Sequence, residues 1–235
     1  MNVPGASTAV VFDMDGVLVD SEPIHFDVAR RLLAPAGVTI TREMSQNFVG
    51  RSVVEFLTEA MERFRLPGTL AEYRARYDTL LFEALARPIP PRDGAVWLID
   101  QLRQRGCAIG LASTSKRGWI DAMLRATALE GRFDAIVGGD MVERVKPAPD
   151  VYLAAAARLA VEPAACVAIE DSPLGIEAAR AARMRVVGLI TPHVDPLALQ
   201  QADVLIASLR EFPFALLGDG ACACSPSAPS GTEDA

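Results

Sequence analysis

Short apolar runs alternate with segments of helical periodicity along most of this 235-residue chain. This alternation restricts the fold more than any other feature of the sequence. Strands are predicted at Ala9–Phe12, Ala108–Ala112, Ala135–Val137, Val167–Ile169, Val186–Ile190 and Val204–Ile206. Helices are predicted at Ala95–Arg105, Trp119–Ala128, Pro149–Leu159 and Leu174–Ala182. Strands that alternate with helices are typical of βαβ units, so we expect an α/β fold with a Rossmann-like parallel sheet covered on both faces.

The stretch from Glu22 to Arg87 departs from this alternation. Its apolar residues recur at helical spacing with no strand-like run between them: Val53, Phe56, Leu57, Ala60, Met61 and Phe64, then Leu70, Tyr73, Tyr77, Leu80, Leu81, Ala84 and Leu85. This pattern predicts a small all-α domain inserted after the first strand. We therefore expect an α/β core at residues 1–20 and 91–217, a helical domain at residues 21–90 and a disordered tail at residues 218–235.

The charge balance and the apolar runs exclude several classes of protein. The chain has 23 Lys and Arg against 30 Asp and Glu, a formal net charge of −7, which disfavours non-specific binding to nucleic acid. No apolar run approaches the roughly 20 residues that span a bilayer, and the N-terminus has no export signal. Four cysteines do not suggest a disulfide scaffold. We expect a cytoplasmic protein that is a monomer or a weak homodimer, without a nucleic-acid or membrane partner.

Two carboxylates follow the first predicted strand directly. The segment Asp13-Met14-Asp15-Gly16 stands at the carboxyl end of that strand, where open α/β sheets bind ligands. Gly16 allows a sharp turn and a close approach of the backbone to a ligand. One carboxylate can attack phosphorus to give an acyl phosphate while the other manages the proton of the leaving group. The same residues also suit a solvated turn with aspartates capping it.

Three later clusters also fall at the ends of predicted strands. Ser113 and Thr114 offer hydroxyls and amides to a phosphoryl oxygen, although Ser-Thr-Ser before a helix also resembles an N-cap. Lys146 lies in a proline-restricted loop. Glu170 and Asp171 suit a hard divalent cation, and Asp171 could also cap the next helix, a role that need not exclude the first. Four clusters at one edge of a sheet argue for a shared site rather than unrelated turns.

In order and spacing, these motifs resemble the haloacid dehalogenase-like hydrolase superfamily. The resemblance rests on DMDGVLVD, the Ser113 turn, KPAPD and EDSPLGIEAA, and it covers about residues 9–214. The helical insert is similar to the α-helical cap of the β-phosphoglucomutase-like and phosphatase branch. Four ordered motifs are specific for phosphoryl chemistry and much less so for the substrate. The presence of Asp15 argues against dehalogenation, because dehalogenases of this superfamily lack that residue.

The resemblance implies roles for the motif residues. Asp13 is then the catalytic nucleophile and Asp15 the general acid and base, while Ser113 and Lys146 hold the transferring phosphoryl group. A Mg²⁺ cofactor would be bound by Asp13, by the backbone carbonyl of Asp15 and by Asp171, with Glu170 alongside. Mg²⁺ and Lys146 would offset the crowded negative charge.

Candidate substrate-binding residues are harder to assign from sequence. His25 falls in the first turn of the first helix of the insert, where relatives often carry a histidine that faces the catalytic carboxylates. Gly50 and Arg51 form a polar turn that could be a substrate loop, unless Ser52 merely caps the following helix. Thr114 follows the second strand and could bind a phosphoryl oxygen, and Lys116 could reach a second anionic group or simply face water.

We expect a Mg²⁺-dependent phosphatase whose partner is a small phosphorylated metabolite such as a sugar phosphate. A phosphomutase of the β-phosphoglucomutase type is the alternative, and a non-catalytic metabolite-binding protein is a third. Phosphomutase relatives typically carry an arginine three residues after the cap-loop glycine, a position that Val53 occupies here, while Arg51 stands one residue after that glycine. His25 and Lys116, in contrast, match the phosphomutase pattern. Arg183 also departs from the family, because it stands where relatives end a helix with glycine, at a position expected to have a positive φ.

Overall fold

The computed structural model describes residues 8–41, residue 44 and residues 52–218. The strands are β1 (Ala9–Phe12), β2 (Ala108–Ala112), β3 (Ala135–Val137), β4 (Cys166–Glu170), β5 (Arg185–Leu189) and β6 (Val204–Ile206). The α-helices are α1 (Glu22–Leu33), α2 (Val53–Phe64), α3 (Leu70–Leu85), α4 (Ala95–Gln104), α5 (Arg117–Ala126), α6 (Asp150–Leu159) and α7 (Pro173–Ala181). The predicted tail lies outside the described residues apart from Gly218.

All six strands form one parallel sheet in the order β3-β2-β1-β4-β5-β6. The chain winds outward from β1 in one direction and, after β4, in the other, so the order reverses between these two central strands. The backbone N–H of Asp13 donates to the carbonyl of Ile169 at 2.9 Å, which brings the segments after β1 and β4 together. Ligands of open α/β sheets bind at this kind of reversal, beyond the carboxyl ends of the strands.

Helices cover both faces of the sheet, as the alternation predicted. Along β1, Val10 and Phe12 pack into a core with α4 and α5, while Ala9 and Val11 pack into a second core with α6 and α7. Successive side chains of a strand point to opposite faces, so a strand buried on both sides becomes a continuous apolar run. The predicted α/β fold with a Rossmann-like parallel sheet is confirmed.

Within the described part of the stretch between β1 and α4, the α-helices pack around α3. α1 and α2 both contact α3, and α3 also reaches α5 of the core. Ser52 and Thr69 begin α2 and α3 with capping boxes, in which Glu55 and Glu72 accept from the cap backbone. The second explanation offered for Ser52, that of a helix cap, is therefore correct.

Several predicted boundaries differ by one or two residues. The helix after β2 begins at Arg117 rather than Trp119, and Glu170 is the last residue of β4 rather than the first residue beyond it. Fraying of helix and strand ends accounts for shifts of this size. Arg183 has a φ of 64°, which confirms the positive φ predicted there. Among the described residues, no helix has the length and apolar content needed to cross a membrane.

Candidate active site

A lysine with a buried side chain contacts carboxylates at the ends of β1 and β4. Lys146 Nζ lies 2.5 Å from Asp13 Oδ1 and 2.5 Å from Glu170 Oε1, and it also donates to the carbonyl of Ala112 at 3.0 Å. Burial alone would lower the pKa of Lys146, but the two carboxylates outweigh it and raise that pKa. Burial raises the pKa of Asp13, and Lys146 acts against that rise. Three of the predicted residues therefore meet in one charged cluster.

Further side chains hold the carboxylate of Glu170 in place through hydrogen bonds. The hydroxyl of Tyr152, which is fully buried on α6, donates to Glu170 Oε1 at 2.6 Å. Ser172 Oγ donates to Glu170 Oε2 at 3.1 Å. A Cβ at Gly175 would lie 1.9 Å from this carboxylate, so only glycine leaves room for it. The side chain of Glu170 is thereby held in one orientation toward Lys146.

Asp13, Glu170 and Asp171 form a cluster of oxygen donors. One ligand atom from each lies within 4.8 Å of the others. Burial, and then the charges of Glu170 and Asp15, raise the pKa of Asp171 to about 7. A Cβ on Gly16 would lie 1.8 Å from Asp171 Oδ2, so the turn after β1 packs directly against this carboxylate. Buried carboxylates with excess negative charge and oxygen-only chemistry fit Mg²⁺ better than Zn²⁺.

Ser172, not Asp171, is the N-cap of α7. Its hydroxyl accepts from the backbone N–H of Gly175 at 3.1 Å. The capping alternative for Asp171 is therefore wrong, and its carboxylate instead faces the cluster, where Thr191 Oγ1 lies 3.5 Å from Asp171 Oδ2.

Asp15 lies beside the cluster with a separate set of partners. Ser115 Oγ donates to Asp15 Oδ2 at 3.2 Å, and His25 Nε2 is 3.7 Å from Asp15 Oδ1. Burial tends to raise the pKa of Asp15, but the contacts with His25, Ser21 and Ser115 bring that pKa below its usual value. His25 therefore faces the predicted general acid and base, the position that the sequence suggested for it.

His25 is itself held by a second residue of the helical segment. The hydroxyl of Tyr77 on α3 and His25 Nδ1 share a hydrogen bond of 2.7 Å, and their rings stack at 6.3 Å. Because Tyr77 occupies one ring nitrogen, the other is directed toward Asp15.

The turn after β2 places the remaining predicted residues. Ser113 is buried, its N–H donates to the carbonyl of Val137 at 3.1 Å, and its Oγ accepts from the N–H of Ser115 at 3.0 Å. The Ser-Thr-Ser segment does not cap α5, since Asp140 Oδ1 accepts from the N–H of Arg117 at 2.8 Å. Thr114 is exposed in the same turn.

Lys116, the N-cap residue of α5, is bound to an acidic residue of α3. Its Nζ lies 3.0 Å from Asp78 Oδ2. Gly50 and Arg51, the predicted substrate loop, lie outside the described residues.

Sequence reasoning did not identify Tyr152, Tyr77 or Asp78 as part of the site. The helical periodicity around Tyr77 predicted a core helix, and this prediction is correct. It did not indicate that the hydroxyl of Tyr77 contacts His25. Tyr152, two residues after the last Asp of KPAPD, had a weak signal: a buried tyrosine needs a hydrogen-bond partner. For Asp78, a single sequence contains no signal of a role in the site.

A parallel α/β sheet with acidic residues and a lysine at its reversal point defines a class of enzymes whose chemistry takes place at the strand ends. The chain belongs to the haloacid dehalogenase-like hydrolase family, whose model matches residues 10–189. The sequence prediction of this superfamily is confirmed.

Relatives and solved structures match most of the chain. Hexitol phosphatase B from Escherichia coli K12 is 35% identical, over 90% of this chain and 96% of that protein. The phosphorylated carbohydrates phosphatase of Thermotoga maritima is 31% identical, over 83% of this chain and 90% of that protein. A crystal structure of a proposed beta-phosphoglucomutase from Thermotoga maritima has a TM-score of 0.74 and 29% identity, over 89% of this chain and 96% of that one. Two Arabidopsis thaliana relatives are much longer, and the chain spans 18% and 54% of their lengths.

Proposed function

We propose that the chain is a Mg²⁺-dependent phosphatase that hydrolyses a small phosphorylated metabolite, a sugar phosphate or a similar compound, through a phosphoryl group on Asp13. The observation that carries this proposal is the contact of Lys146 Nζ with Asp13 Oδ1 at 2.5 Å, within a buried cluster of carboxylates. The names of the two phosphatase relatives support the same substrate class.

In this proposal, Asp13 attacks the phosphorus and the bond to the leaving oxygen breaks as an aspartyl phosphate forms. Lys146, with the backbone and hydroxyl of Ser113, stabilises the negative oxygens of the phosphoryl group. Asp15 gives a proton to the leaving oxygen and then takes one from the water that attacks the aspartyl phosphate. The incoming phosphoryl anion raises the pKa of Asp15 and so favours its protonated form for the first step.

Asp13, Asp171 and the backbone carbonyl of Asp15 would hold Mg²⁺, with Glu170 alongside. The bound ion would neutralise charge on the phosphoryl oxygens as a Lewis acid. Residues 21–90 would act as a cap domain over a core formed by residues 1–20 and 91–217, and they would bring His25 to the catalytic carboxylates.

Release of inorganic phosphate from sugar, polyol and nucleotide monophosphates, measured with Mg²⁺, tests the proposal. We expect turnover that chelation abolishes and Mg²⁺ restores.

Asp13→Asn should lose several orders of magnitude of activity while keeping the fold, because a covalent nucleophile is removed. Near wild-type turnover by Asp13→Asn, or full activity in excess chelator, would contradict the proposal.

Binding of Mg²⁺ should depend on pH, because the pKa of Asp171 is raised to about 7. A proton on Asp171 competes with the cation, so Mg²⁺ should bind more weakly as the pH falls below 7. The shift of the melting temperature with Mg²⁺ concentration measures this without turnover. A Mg²⁺ affinity that is equal at pH 6 and pH 8 would contradict the assignment of Asp171.

A phosphomutase of the β-phosphoglucomutase type is the second candidate, favoured by the structural match in Thermotoga maritima and by Lys116 at the rim of the site. Against it, Val53 begins α2 where mutase relatives carry arginine. Incubation with β-glucose 1-phosphate and a trace of the 1,6-bisphosphate separates the two. Glucose 6-phosphate forming much faster than free phosphate would establish the mutase.

A further inference from the structure

A salt bridge between the helical segment and the core lies at the rim of the candidate site. Lys116 Nζ is 3.0 Å from Asp78 Oδ2 and 3.3 Å from Asp78 Oδ1, so the ammonium bridges both oxygens of the carboxylate. The two side chains are 35% and 31% exposed, which leaves both in reach of a ligand. Lys116 belongs to the core at the start of α5, whereas Asp78 belongs to α3.

The chain neighbours of both residues contact the catalytic centre. Ser115, which precedes Lys116, donates to Asp15. Tyr77, which precedes Asp78, holds the histidine that faces Asp15. Each residue of the salt bridge is therefore the chain neighbour of a residue that contacts Asp15 directly or through His25. Because the proposed role of Asp15 is to protonate the leaving oxygen, we place the leaving group on this side of the site.

Buried aromatic rings fix the position of this salt bridge. Lys116 Nζ lies 5.0 Å from the ring centroid of Trp119, and the rings of Trp119 and Tyr77 are 5.8 Å apart. Both rings are largely inaccessible to solvent. The ammonium is therefore held between a carboxylate and an aromatic face, and it is less free to turn toward a new anion than a solvated lysine would be.

Three carboxylates influence the hydroxyl of Tyr77 on this side of the site. Burial raises the pKa of Tyr77, and the charges of Asp15, Glu22 and Asp78 raise it further, which shows that three carboxylates act on one hydroxyl. Lys116 is already neutralised by Asp78, and Lys146 by Asp13 and Glu170. A second anionic group on the substrate would meet the carboxylate of Asp78, and both of these lysines already have carboxylate partners.

We infer that the Asp78–Lys116 salt bridge selects substrates whose leaving group is uncharged and carries hydroxyls, and disfavours those with a second anionic group. A carboxylate beside an ammonium offers one acceptor and up to three donors to hydroxyl groups while adding no net charge. A second anion would instead have to separate the pair and face the released carboxylate. The inference rests on the proposed phosphatase function and names the substrate class of that site.

Two substrates of nearly equal shape test it. Sorbitol 6-phosphate and 6-phosphogluconate share a six-carbon hydroxylated chain and differ at the far end, where one has an alcohol and the other a carboxylate. We expect wild type to have the higher kcat/KM for sorbitol 6-phosphate. In Asp78→Asn the preference should fall by about fivefold, because Lys116 is freed to receive the carboxylate. Adding Lys116→Met to that variant should abolish the gain.

Asp100→Asn is the matched control. Asp100 lies on α4, away from the site, and the substitution removes the same charge from a half-exposed salt bridge with Arg132. Circular dichroism and melting temperatures establish that each variant is folded. If wild type hydrolyses either compound and Asp78→Asn changes the preference no more than Asp100→Asn does, the inference is wrong while the phosphatase proposal stands. Turnover of p-nitrophenyl phosphate without turnover of either compound also contradicts the inference. If wild type releases phosphate from none of the three, the proposed function fails and the inference falls with it.

Discussion

Lys146 follows Asp13 by 133 positions in the chain, yet their charged atoms are 2.5 Å apart and both side chains are buried. A buried carboxylate is stable as an anion only with a partner of opposite charge, and here one ammonium serves both Asp13 and Glu170. The same positive charge stands where a phosphoryl group would need it. A single residue therefore holds the site together and, in the proposed function, takes part in the chemistry.

Lys146→Met tests the structural part of this account. Two buried carboxylates would lose their cation, so we expect the free energy of unfolding to fall by about 3 kcal/mol. Lys116→Met removes a half-exposed cation and should cost less than about 1 kcal/mol. Denaturant unfolding at pH 7 measures both. An equal, small loss in the two variants would show that Lys146 is not needed to neutralise the cluster.

The four sequence motifs all lie on the side of the sheet where the strands end. Each lies at or beyond the carboxyl end of a strand, and because all six strands are parallel these ends lie on the same side of the sheet. Helix ends contribute as well, because Ser172 caps α7 while its hydroxyl also donates to Glu170. Local capping and the geometry of the site are thus satisfied by the same side chain.

The end of α7 carries a local strain that can be relieved. Arg183 has a φ of 64°, which is unfavourable for a residue with a Cβ. Arg183→Gly should raise the free energy of unfolding by about 0.5–1 kcal/mol, with activity unchanged. Glu177→Gly, at an exposed position inside α7, should lower it by about 1 kcal/mol. A lower free energy of unfolding for Arg183→Gly, measured by denaturant unfolding, would contradict this prediction. It would show that contacts of the arginine side chain stabilise the fold by more than its backbone strain destabilises it.

The features of the structure that depend on local sequence patterns could be predicted. Runs of apolar residues predicted the strands, and Asp13, Asp15, Glu170 and Asp171 stood out because each lies at the end of a strand. Lys146 stood out because it lies in a proline-restricted loop before a helix. Residues whose role depends on a distant partner could not be predicted. Tyr77 meets His25 across 52 positions and Lys116 meets Asp78 across 38, and no periodicity encodes either contact.

Across the whole molecule, two parts of the chain supply one site. The core brings Asp13, Lys146 and the acidic cluster, whereas the helices between β1 and β2 bring His25, Tyr77 and Asp78. Core residues account for the proposed phosphoryl transfer, and the helical segment accounts for the proposed choice of leaving group. This division explains why the sequence motifs identify the chemistry and leave the substrate open.

The phosphoryl group on Asp13 is the central claim, and trapping it is the most direct test. With p-nitrophenyl phosphate, whose leaving group needs no proton, Asp15→Asn should still form the aspartyl phosphate but hydrolyse it slowly, because the variant lacks the base that activates water. After incubation with Mg²⁺ and p-nitrophenyl phosphate, followed by an acid quench, mass spectrometry of the Asp13 peptide from Asp15→Asn should show one added phosphoryl group. Hydroxylamine should remove this group, and the Asp13→Asn, Asp15→Asn double variant should never carry it. A phosphoryl group on another residue, or steady phosphate release by wild type with no phosphorylated Asp13 peptide in either protein, would contradict the account.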